Sequence, residues 1–205
     1  MKYKHIIFDF NGTLVDSSEA MNEILSGLIA KSRFKSLTPK DFEKIEKLPF
    51  AKKAKVILFF IRYQRKFLRL FGENVSMVKF AGGVKPVLAR LKENNVGFSI
   101  LSSNDSDTIV KFFDFHEISV ESVYRSQRLL GKKKVIEKFI KQNRCAPGDV
   151  LYVGDEIRDA EACGRCGVDM VFVKWGMDAN EDLTGYNVKM VAHTPEDLTE
   201  YILSA

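Results

Sequence analysis

The stretch FDFNGTLVDS, residues 8–17, decides how the rest of the chain is interpreted. It overlaps the end of an apolar run, residues 4–10, which is typical of a short buried strand that Gly12 then ends. A carboxylate, Asp9, and an amide, Asn11, therefore follow a predicted strand directly. In open parallel sheets, functional sites lie at the carboxyl ends of the strands. The end of each later strand is thus where chemistry is expected.

Beyond residue 83 the sequence alternates between strand and helix patterns. Apolar runs predict strands over residues 96–101, 120–124, 150–153, 170–173 and 189–192. Helices are predicted between them over residues 85–93, 108–113, 132–142 and 159–166. This alternation predicts an α/β fold, a Rossmann-like parallel sheet of five or six strands flanked by helices.

From residue 16 to about residue 80 the pattern is helical. One helix is predicted from Ser17 or Ser18 to residue 30, and a second begins at Thr38-Pro39. The strongest spans residues 50–71, where apolar residues recur every three or four positions between lysines and arginines. The predicted organisation is a core of residues 1–15 and 82–205, with residues 16–81 inserted as a small α-helical domain.

Composition narrows the class of protein. The chain has 205 residues and is 45% hydrophobic, enough for one packed domain with a small insertion. Its three cysteines are too few and too clustered for a disulfide framework. No apolar run approaches the ~20 residues that span a bilayer, and the N-terminus lacks a signal-peptide pattern. These features predict a cytoplasmic protein without a membrane partner.

Charge is unevenly distributed along the chain. Residues 31–79 hold 14 Lys/Arg against 4 Asp/Glu, a net charge of +10, whereas the rest of the chain carries −5. A basic segment of this kind favours a small anionic substrate nearby. Arg62, Arg65 and Arg69 share one face of the predicted helix and are candidate substrate contacts. A simple solvated face explains the same charge, and nucleic acid is the least favoured partner.

Polar residues follow the later predicted strands as well. Ser102, Ser103 and Asn104 follow the strand that ends at residue 101, and the run 154–159, GDEIRD, follows another. Lysine 132 comes directly after Gly131. Carboxylate oxygens suit Mg²⁺, a lysine can neutralise a phosphate oxygen, and a carboxylate can attack phosphorus.

Four stretches together resemble the motifs of one family. Residues 8–17 are similar to the first motif of the haloacid-dehalogenase-like (HAD) hydrolase superfamily, FSILSSN (98–104) to the second, and YVGDEIRD (152–159) to the fourth. The run VKWG, residues 173–176, resembles one common in the phosphoglycolate-phosphatase-like branch. The motifs occur in order over essentially the whole chain. The resemblance implies that the helical insertion is a small cap domain over the site.

The resemblance also implies a role for each matching position. The chain would be a Mg²⁺-dependent phosphatase of a small phosphomonoester, with Asp9 as the nucleophile that carries an aspartyl-phosphate. The metal ligands would be Asp9, the main-chain carbonyl of Asn11, and Asp155. The residues that orient them would be Glu156 and Asp159. The phosphate would be held by the main chain at Phe10 and by Ser102, Ser103 and Lys132. Lys133 and Lys134 are adjacent candidates, and the place after Gly131 favours Lys132.

One position departs from the family pattern. Where phosphatases of this family normally have an aspartate that acts as general acid and base, this chain has Asn11. Such help is typically worth roughly 10²–10⁴-fold in rate, and an amide cannot supply it. Four explanations remain: a slow phosphatase with another acid, a turnover-impaired phosphate-binding or regulatory relative, an engineered Asp-to-Asn change that traps a complex, or chemistry other than ester hydrolysis.

Overall fold

The computed structural model describes residues 2–42, 45–126 and 131–204. The chain divides into two compact units, one formed by Met1–Asp16 with Lys79–Ala205 and the other by Ser17–Val78. The gaps at 43–44 and 127–130 fall inside the ranges expected for the cap and the core, and those positions lie outside the described residues.

The helices and strands follow one another in this order: β1 His5–Phe8, β2 Val15–Asp16, α1 Ser18–Ala30, α2 Phe50–Glu73, β3 Lys79–Phe80, α3 Val84–Glu93, β4 Phe98–Ser102, α4 Ser106–Phe115, β5 Ser122–Arg125, α5 Gly131–Asn143, β6 Val150–Gly154, α6 Ile157–Cys166, β7 Asp169–Val173, β8 Val188–Ala192 and α7 Pro195–Ser204.

The first unit is built on a six-stranded sheet in the order β5-β4-β1-β6-β7-β8, in which every neighbouring pair is parallel. Every residue of β4, β6 and β7 is buried, as expected for a sheet covered by helices on both faces. The short strands β2 and β3 form a separate antiparallel pair. The α/β prediction is confirmed, with six strands. Because β1 lies between β4 and β6, the residue that follows it, Asp9, lies near the middle of the carboxyl edge of the sheet.

Three parts of the secondary structure differ from the sequence prediction. Strand β3, Lys79–Phe80, lies in a segment expected to be helical. The helix expected at Thr38-Pro39 is only a 3₁₀ turn, Pro39–Phe42, although the Asp41 carboxylate caps its start by accepting hydrogen bonds from the Thr38 amide (2.7 Å) and hydroxyl (3.0 Å). The Pro49 ring disfavours a helical backbone at Leu48, so a helix that begins here does not run on into α2. Helix α7 was not predicted. Its start is held by Asp197, whose carboxylate accepts hydrogen bonds from the amides of His193 and Thr194, both at 2.9 Å.

The second unit is held together by aromatic side chains on α2. The Phe59 ring packs against Phe34 and Phe42 at centroid distances of 5.8 and 5.1 Å, and against Tyr63 at 4.9 Å. An ion pair between Lys52 and Asp41, 2.6 Å, ties the start of α2 to the preceding turn. These rings therefore serve as the core of this unit. Across the described ranges, we find no helix with both the length and the apolar character needed to cross a membrane.

Candidate active site

Asp9 is held at the carboxyl end of β1 by a tight turn. Its amide donates to the Val153 carbonyl on β6 (2.9 Å), and the Phe10 carbonyl accepts from the amides of Leu14 and Val15, both at 3.0 Å. Gly12 has a φ of +77°, and a Cβ there would overlap the Asp155 carboxylate. The Phe10 ring is buried 5.3 Å from that of Phe112, which anchors the turn in the core.

Lys132 is the lysine that the fold brings to Asp9. It lies in the first turn of α5, it is buried, and its Nζ donates to Asp9 Oδ2 at 2.9 Å. The same ammonium contacts Asp159 Oδ1 and lies 3.9 Å from Glu156 Oε2. Lys133 instead pairs with Glu137 in the next turn of the helix, and Lys134 is exposed. The geometry thus places one of the three candidate lysines against the predicted nucleophile.

The charges around Lys132 shift the pKa values of the group. Burial opposes the ammonium, but the carboxylates of Asp159, Asp9 and Glu156 outweigh it and raise the pKa of Lys132, so the lysine stays charged. Burial raises the pKa of Asp9, and the Lys132 charge opposes that shift. Burial likewise raises the pKa of Asp159 to about 7, again against Lys132. Asp9 and Asp159 therefore depend on a nearby cation to remain ionised.

Asp155 is the most enclosed carboxylate of the group, with no exposed surface. Oδ1 accepts a hydrogen bond from the Thr13 hydroxyl (2.7 Å), and Oδ2 accepts one from the Met177 amide (2.7 Å). Burial is the main cause that raises its pKa well above the usual value, followed by the charges of Asp9, Glu156 and Asp159. Neutral donors orient this carboxylate, but they do not neutralise it.

The site has more negative than positive charge. Four carboxylates, those of Asp9, Asp155, Glu156 and Asp159, face two cations, Lys132 and Arg158, so full ionisation leaves two negative charges without a counter-ion. Arg158 Nη2 donates to Glu156 Oε1 at 2.7 Å. Within the described part of the chain, Asp159 Oδ2 is buried without a hydrogen-bond partner. Buried carboxylates in this state need compensation, and a hard divalent cation supplies it.

The carboxylates that cluster most closely differ from the expected ligand set. Asp9, Glu156 and Asp159 each offer an oxygen within 4.8 Å of the others. Asp155, a predicted ligand, stands beside them with both oxygens already accepting hydrogen bonds. Glu156, which the sequence suggested only as an orienting residue, therefore offers an oxygen at the cluster itself. The donor set is all oxygen, as Mg²⁺ prefers.

The predicted phosphate contacts are only partly assembled. Ser102 is buried at the end of β4, and its hydroxyl accepts a hydrogen bond from the Asn104 amide at 3.2 Å. Asn104 Nδ2 donates to Asn11 Oδ1 at 3.3 Å and so links the ends of β4 and β1. Ser103 is exposed. The sequence placed Asn104 at this edge of the sheet, directly after a predicted strand, but assigned it no role.

Two further sets of residues are the arginines of α2 and the residues around Asp155. Arg62, Arg65 and Arg69 are exposed on α2 in the second unit, where Arg69 lies 3.6 Å from Glu73. Their role as substrate contacts stays a prediction. No role was assigned from the sequence to Thr13, Trp175 and Met177, which contact the Asp155 environment, although the first two lie inside recognised motifs. Only tertiary contact between the β1 turn and the segment after β7 reveals them.

Comparison with known proteins agrees with the motifs. A family model described as haloacid dehalogenase-like hydrolase matches residues 6–173. A protein named phosphoglycolate phosphatase from Synechococcus elongatus is 27% identical over 203 residues, covering 96% of both chains. Among solved structures, a putative haloacid dehalogenase-like hydrolase from Bacteroides fragilis is similar with a TM-score of 0.79 at 19% identity, covering 96% of this chain and 100% of the other.

A second solved structure supports the same fold. A hydrolase of the haloacid dehalogenase-like family from Streptococcus pneumoniae is similar with a TM-score of 0.75 at 21% identity, covering 98% of this chain and 99% of the other. The family, its phosphoglycolate-phosphatase-like branch and the fold predicted from the four motifs are confirmed.

Proposed function

We propose that this chain, which belongs to the haloacid dehalogenase-like hydrolase family, is a phosphatase that hydrolyses a small phosphomonoester with Mg²⁺ and through an aspartyl-phosphate on Asp9. The observation that carries the proposal is the buried Asp9 carboxylate, 2.9 Å from the Lys132 ammonium, at the carboxyl edge of the sheet. Burial of an ion pair costs desolvation free energy, and buried charged clusters of this kind occur often at functional sites. Here the pair belongs to a cluster with excess negative charge.

In the first step, a carboxylate oxygen of Asp9 attacks phosphorus. The bond from phosphorus to the ester oxygen breaks, and the leaving alkoxide takes the electron pair and then a proton from water, because the Asn11 amide cannot supply that proton as an aspartic acid would. Lys132 screens the repulsion between the carboxylate and the phosphate, because its ammonium contacts Asp9 directly. Ser102 and the main chain of the Asp9–Asn11 turn would hold the phosphoryl oxygens.

In the second step, water attacks the phosphorus of the aspartyl-phosphate. Inorganic phosphate leaves, and the Asp9 carboxylate is regenerated. In the family pattern a carboxylate at position 11 takes the proton of that water. The Asn11 amide cannot take it, so the proton passes to bulk water, and we expect this step to be slow by roughly 10²–10⁴-fold.

The residues present fit a divalent cation. Asp9, Asp155 and the Asn11 main-chain carbonyl would hold Mg²⁺, with Glu156 beside them and Asp159 held by Lys132. A bound Mg²⁺ would neutralise the phosphoryl oxygens and so lower the cost of bringing an anionic substrate to Asp9. The unpartnered Asp159 Oδ2 and the two surplus negative charges support this assignment.

The substrate class follows from the relatives and the charge pattern. The relative from Synechococcus elongatus is named a phosphoglycolate phosphatase, which makes 2-phosphoglycolate the first compound to test. The arginines of α2 would suit a substrate that carries a second anionic group, such as a carboxylate. Sugar phosphates and nucleotides complete the panel.

A second candidate function rests on one observation. Asn11 Oδ1 accepts a hydrogen bond from Asn104 Nδ2, an arrangement that two amides form and that needs no proton transfer. A phosphate-binding or regulatory protein that turns over slowly or not at all would keep such an arrangement. An Asp-to-Asn change that traps a complex would give the same geometry.

One experiment separates these functions. Phosphate release is measured on the panel with and without Mg²⁺ for the wild-type chain, Asn11→Asp and Asp9→Ala. We expect slow, Mg²⁺-dependent release by the wild type, roughly 10²–10⁴-fold faster release by Asn11→Asp, and none by Asp9→Ala. Activity only in Asn11→Asp favours the binding or regulatory protein. Activity that survives in Asp9→Ala would contradict the proposed nucleophile.

A further inference from the structure

The segment that follows β7 closes over Asp155. The Met177 amide donates to Asp155 Oδ2 at 2.7 Å, and the Asp178 amide donates to the Asp155 main-chain carbonyl at 3.3 Å. The Asp178 carboxylate in turn accepts a hydrogen bond from the Ile157 amide at the start of α6 (3.0 Å). A Cβ at Gly176 would overlap Asp155, so this main chain lies directly on the carboxylate.

Trp175 ties this segment to the opposite side of Asp155. Its indole Nε1 donates to the Thr13 main-chain carbonyl at 3.0 Å. The Thr13 hydroxyl donates to Asp155 Oδ1 at 2.7 Å. Trp175 thus bonds to Thr13, the residue whose hydroxyl donates to Asp155 Oδ1. It also lies two residues before Met177, whose amide donates to Asp155 Oδ2.

We propose that Trp175 is a positioning residue for the divalent cation, acting through Thr13 on the orientation of Asp155. This rests on the proposed function, because it takes Asp155 to be a metal ligand. A carboxylate whose two oxygens already accept directed hydrogen bonds presents its remaining lone pairs in one direction. Without the indole N–H, the Thr13–Leu14 peptide is held by the Leu14 amide alone, so the Thr13 hydroxyl fixes Oδ1 less tightly. The cation then has to order the carboxylate as it binds.

The indole donor of Trp175 is directed at the surroundings of Asp155. Trp175 is partly buried, and its Nε1 donates to a carbonyl whose own residue bonds Asp155. A phenylalanine at position 175 keeps an aromatic ring and removes the donor together with the five-membered ring, so its effect is read against Thr13→Val, which removes the next hydrogen bond of the same route.

The test is calorimetric titration of the full chain with Mn²⁺, a tighter-binding stand-in for Mg²⁺. The variants are Trp175→Phe, Thr13→Val, the double variant and Asp155→Asn. Tyr201→Phe is the matched control, because it removes one hydroxyl from a packed aromatic ring that contacts Tyr3 OH at 3.2 Å, away from the site. We expect Trp175→Phe to raise the Mn²⁺ dissociation constant about tenfold or more, and Tyr201→Phe to leave it unchanged.

The double variant tests the route. If Trp175 acts through Thr13, Trp175→Phe weakens binding in the wild-type background and adds little in the Thr13→Val background. Unfolding temperatures of the metal-free variants are measured in parallel. An unchanged dissociation constant in Trp175→Phe, or an equal rise in Tyr201→Phe, would overturn the proposal. So would full additivity with Thr13→Val.

Failure of the proposed function has a different signature. Mn²⁺ binding that is absent from the wild type, or unaffected by Asp155→Asn, removes Asp155 as a ligand, and the inference falls with it. Binding that Asp155→Asn weakens strongly while Trp175→Phe does not leaves the metal site standing and removes only the role of Trp175. Because Trp175 is the single tryptophan of the chain, its fluorescence gives an independent readout in the wild type. We expect its emission to change with the same midpoint as the calorimetry.

Discussion

The two ends of the central sheet hold carboxylates in opposite states. At the amino end, Asp169 on β7 accepts hydrogen bonds from Lys2 Nζ (2.8 Å) and Tyr3 OH (3.0 Å), with Lys189 3.5 Å away. One carboxylate there faces two ammonium groups. At the carboxyl end, four carboxylates face Lys132 and Arg158. The first arrangement is complete as it stands, whereas the second calls for another cation.

The pKa directions express the same difference. Burial opposes ionisation of Asp169, but the hydrogen bonds from Lys2 and Tyr3 lower its pKa below the usual value. At the carboxyl end, burial raises the pKa of Asp155, and its carboxylate neighbours add to the shift. A carboxylate that is surrounded by more cations than anions stabilises the fold in its ionised form. A carboxylate that is surrounded by other carboxylates is typical of a ligand-binding site.

The largest expected effect comes from removing Lys132. Lys132→Met leaves Asp9 and Asp159 buried without their ammonium, so we expect the free energy of unfolding at neutral pH to fall by about 3–5 kcal/mol. Lys133→Met is the matched control. Lys133 pairs with Glu137 one turn along α5, and its loss should cost about 0.5 kcal/mol or less. Denaturant unfolding of both variants in a chelator measures this. Equal losses would mean that the buried charges are not held by Lys132.

An intermediate effect is expected from Mg²⁺. Binding to the folded chain should raise its free energy of unfolding by about 2.7 kcal/mol at a concentration a hundred times the dissociation constant. Asp155→Asn should remove most of that gain, whereas Asp169→Asn should retain it. Thermal unfolding with MgCl₂ against NaCl of equal ionic strength compares the three proteins. If Mg²⁺ stabilises Asp155→Asn but not Asp169→Asn, the cation binds at the amino end of the sheet and the comparison between the two ends is wrong.

The smallest expected effect is the pH dependence at the amino end. Because the folded-state pKa of Asp169 lies below its usual value of 3.8, its contribution is fully present above about pH 4. That contribution is lost as the pH falls through the folded-state pKa. The stability difference between the wild type and Asp169→Asn should therefore shrink on acidification below pH 4. Unfolding curves from neutral to acid pH measure it, and a difference that grows in acid would mean that the pKa is raised instead.

The sequence predicted the site residues that lie at strand ends and helix starts, but not the contacts that loops make with one another. Asp9, Lys132 and Asp155 each stand beside a strand end or a helix start, so local pattern and motif order were enough to predict their proximity. Trp175 is 162 positions from Thr13, and their contact depends on how the segment after β7 folds back onto the β1 turn. Periodicity holds no information on such a contact.

The surplus of negative charge also became visible only in the structure. Glu156 follows Asp155 directly in the sequence and suggested no more than a supporting role. Its side chain lies 3.9 Å from Lys132 and belongs to the buried group with Asp9 and Asp159. The turn at Thr38-Pro39 has the same capping contact as the start of α7, in which an aspartate accepts a hydrogen bond from the amide of the threonine three residues before it, so this local signal does not set the length of a helix.

The central claim is that Asp9 is a nucleophile whose phosphorylated form is cleared slowly because residue 11 is asparagine. The most direct test is to mix the wild-type chain with 2-phosphoglycolate, or the best substrate of the panel, and Mg²⁺, quench in acid and analyse peptides by mass spectrometry. We predict that the peptide containing Asp9 gains one phosphoryl group, more in the wild type than in Asn11→Asp, and not at all in Asp9→Ala. A phosphoryl group found on another residue, or phosphate release from the wild type without any label on Asp9 at any time point, would contradict the account.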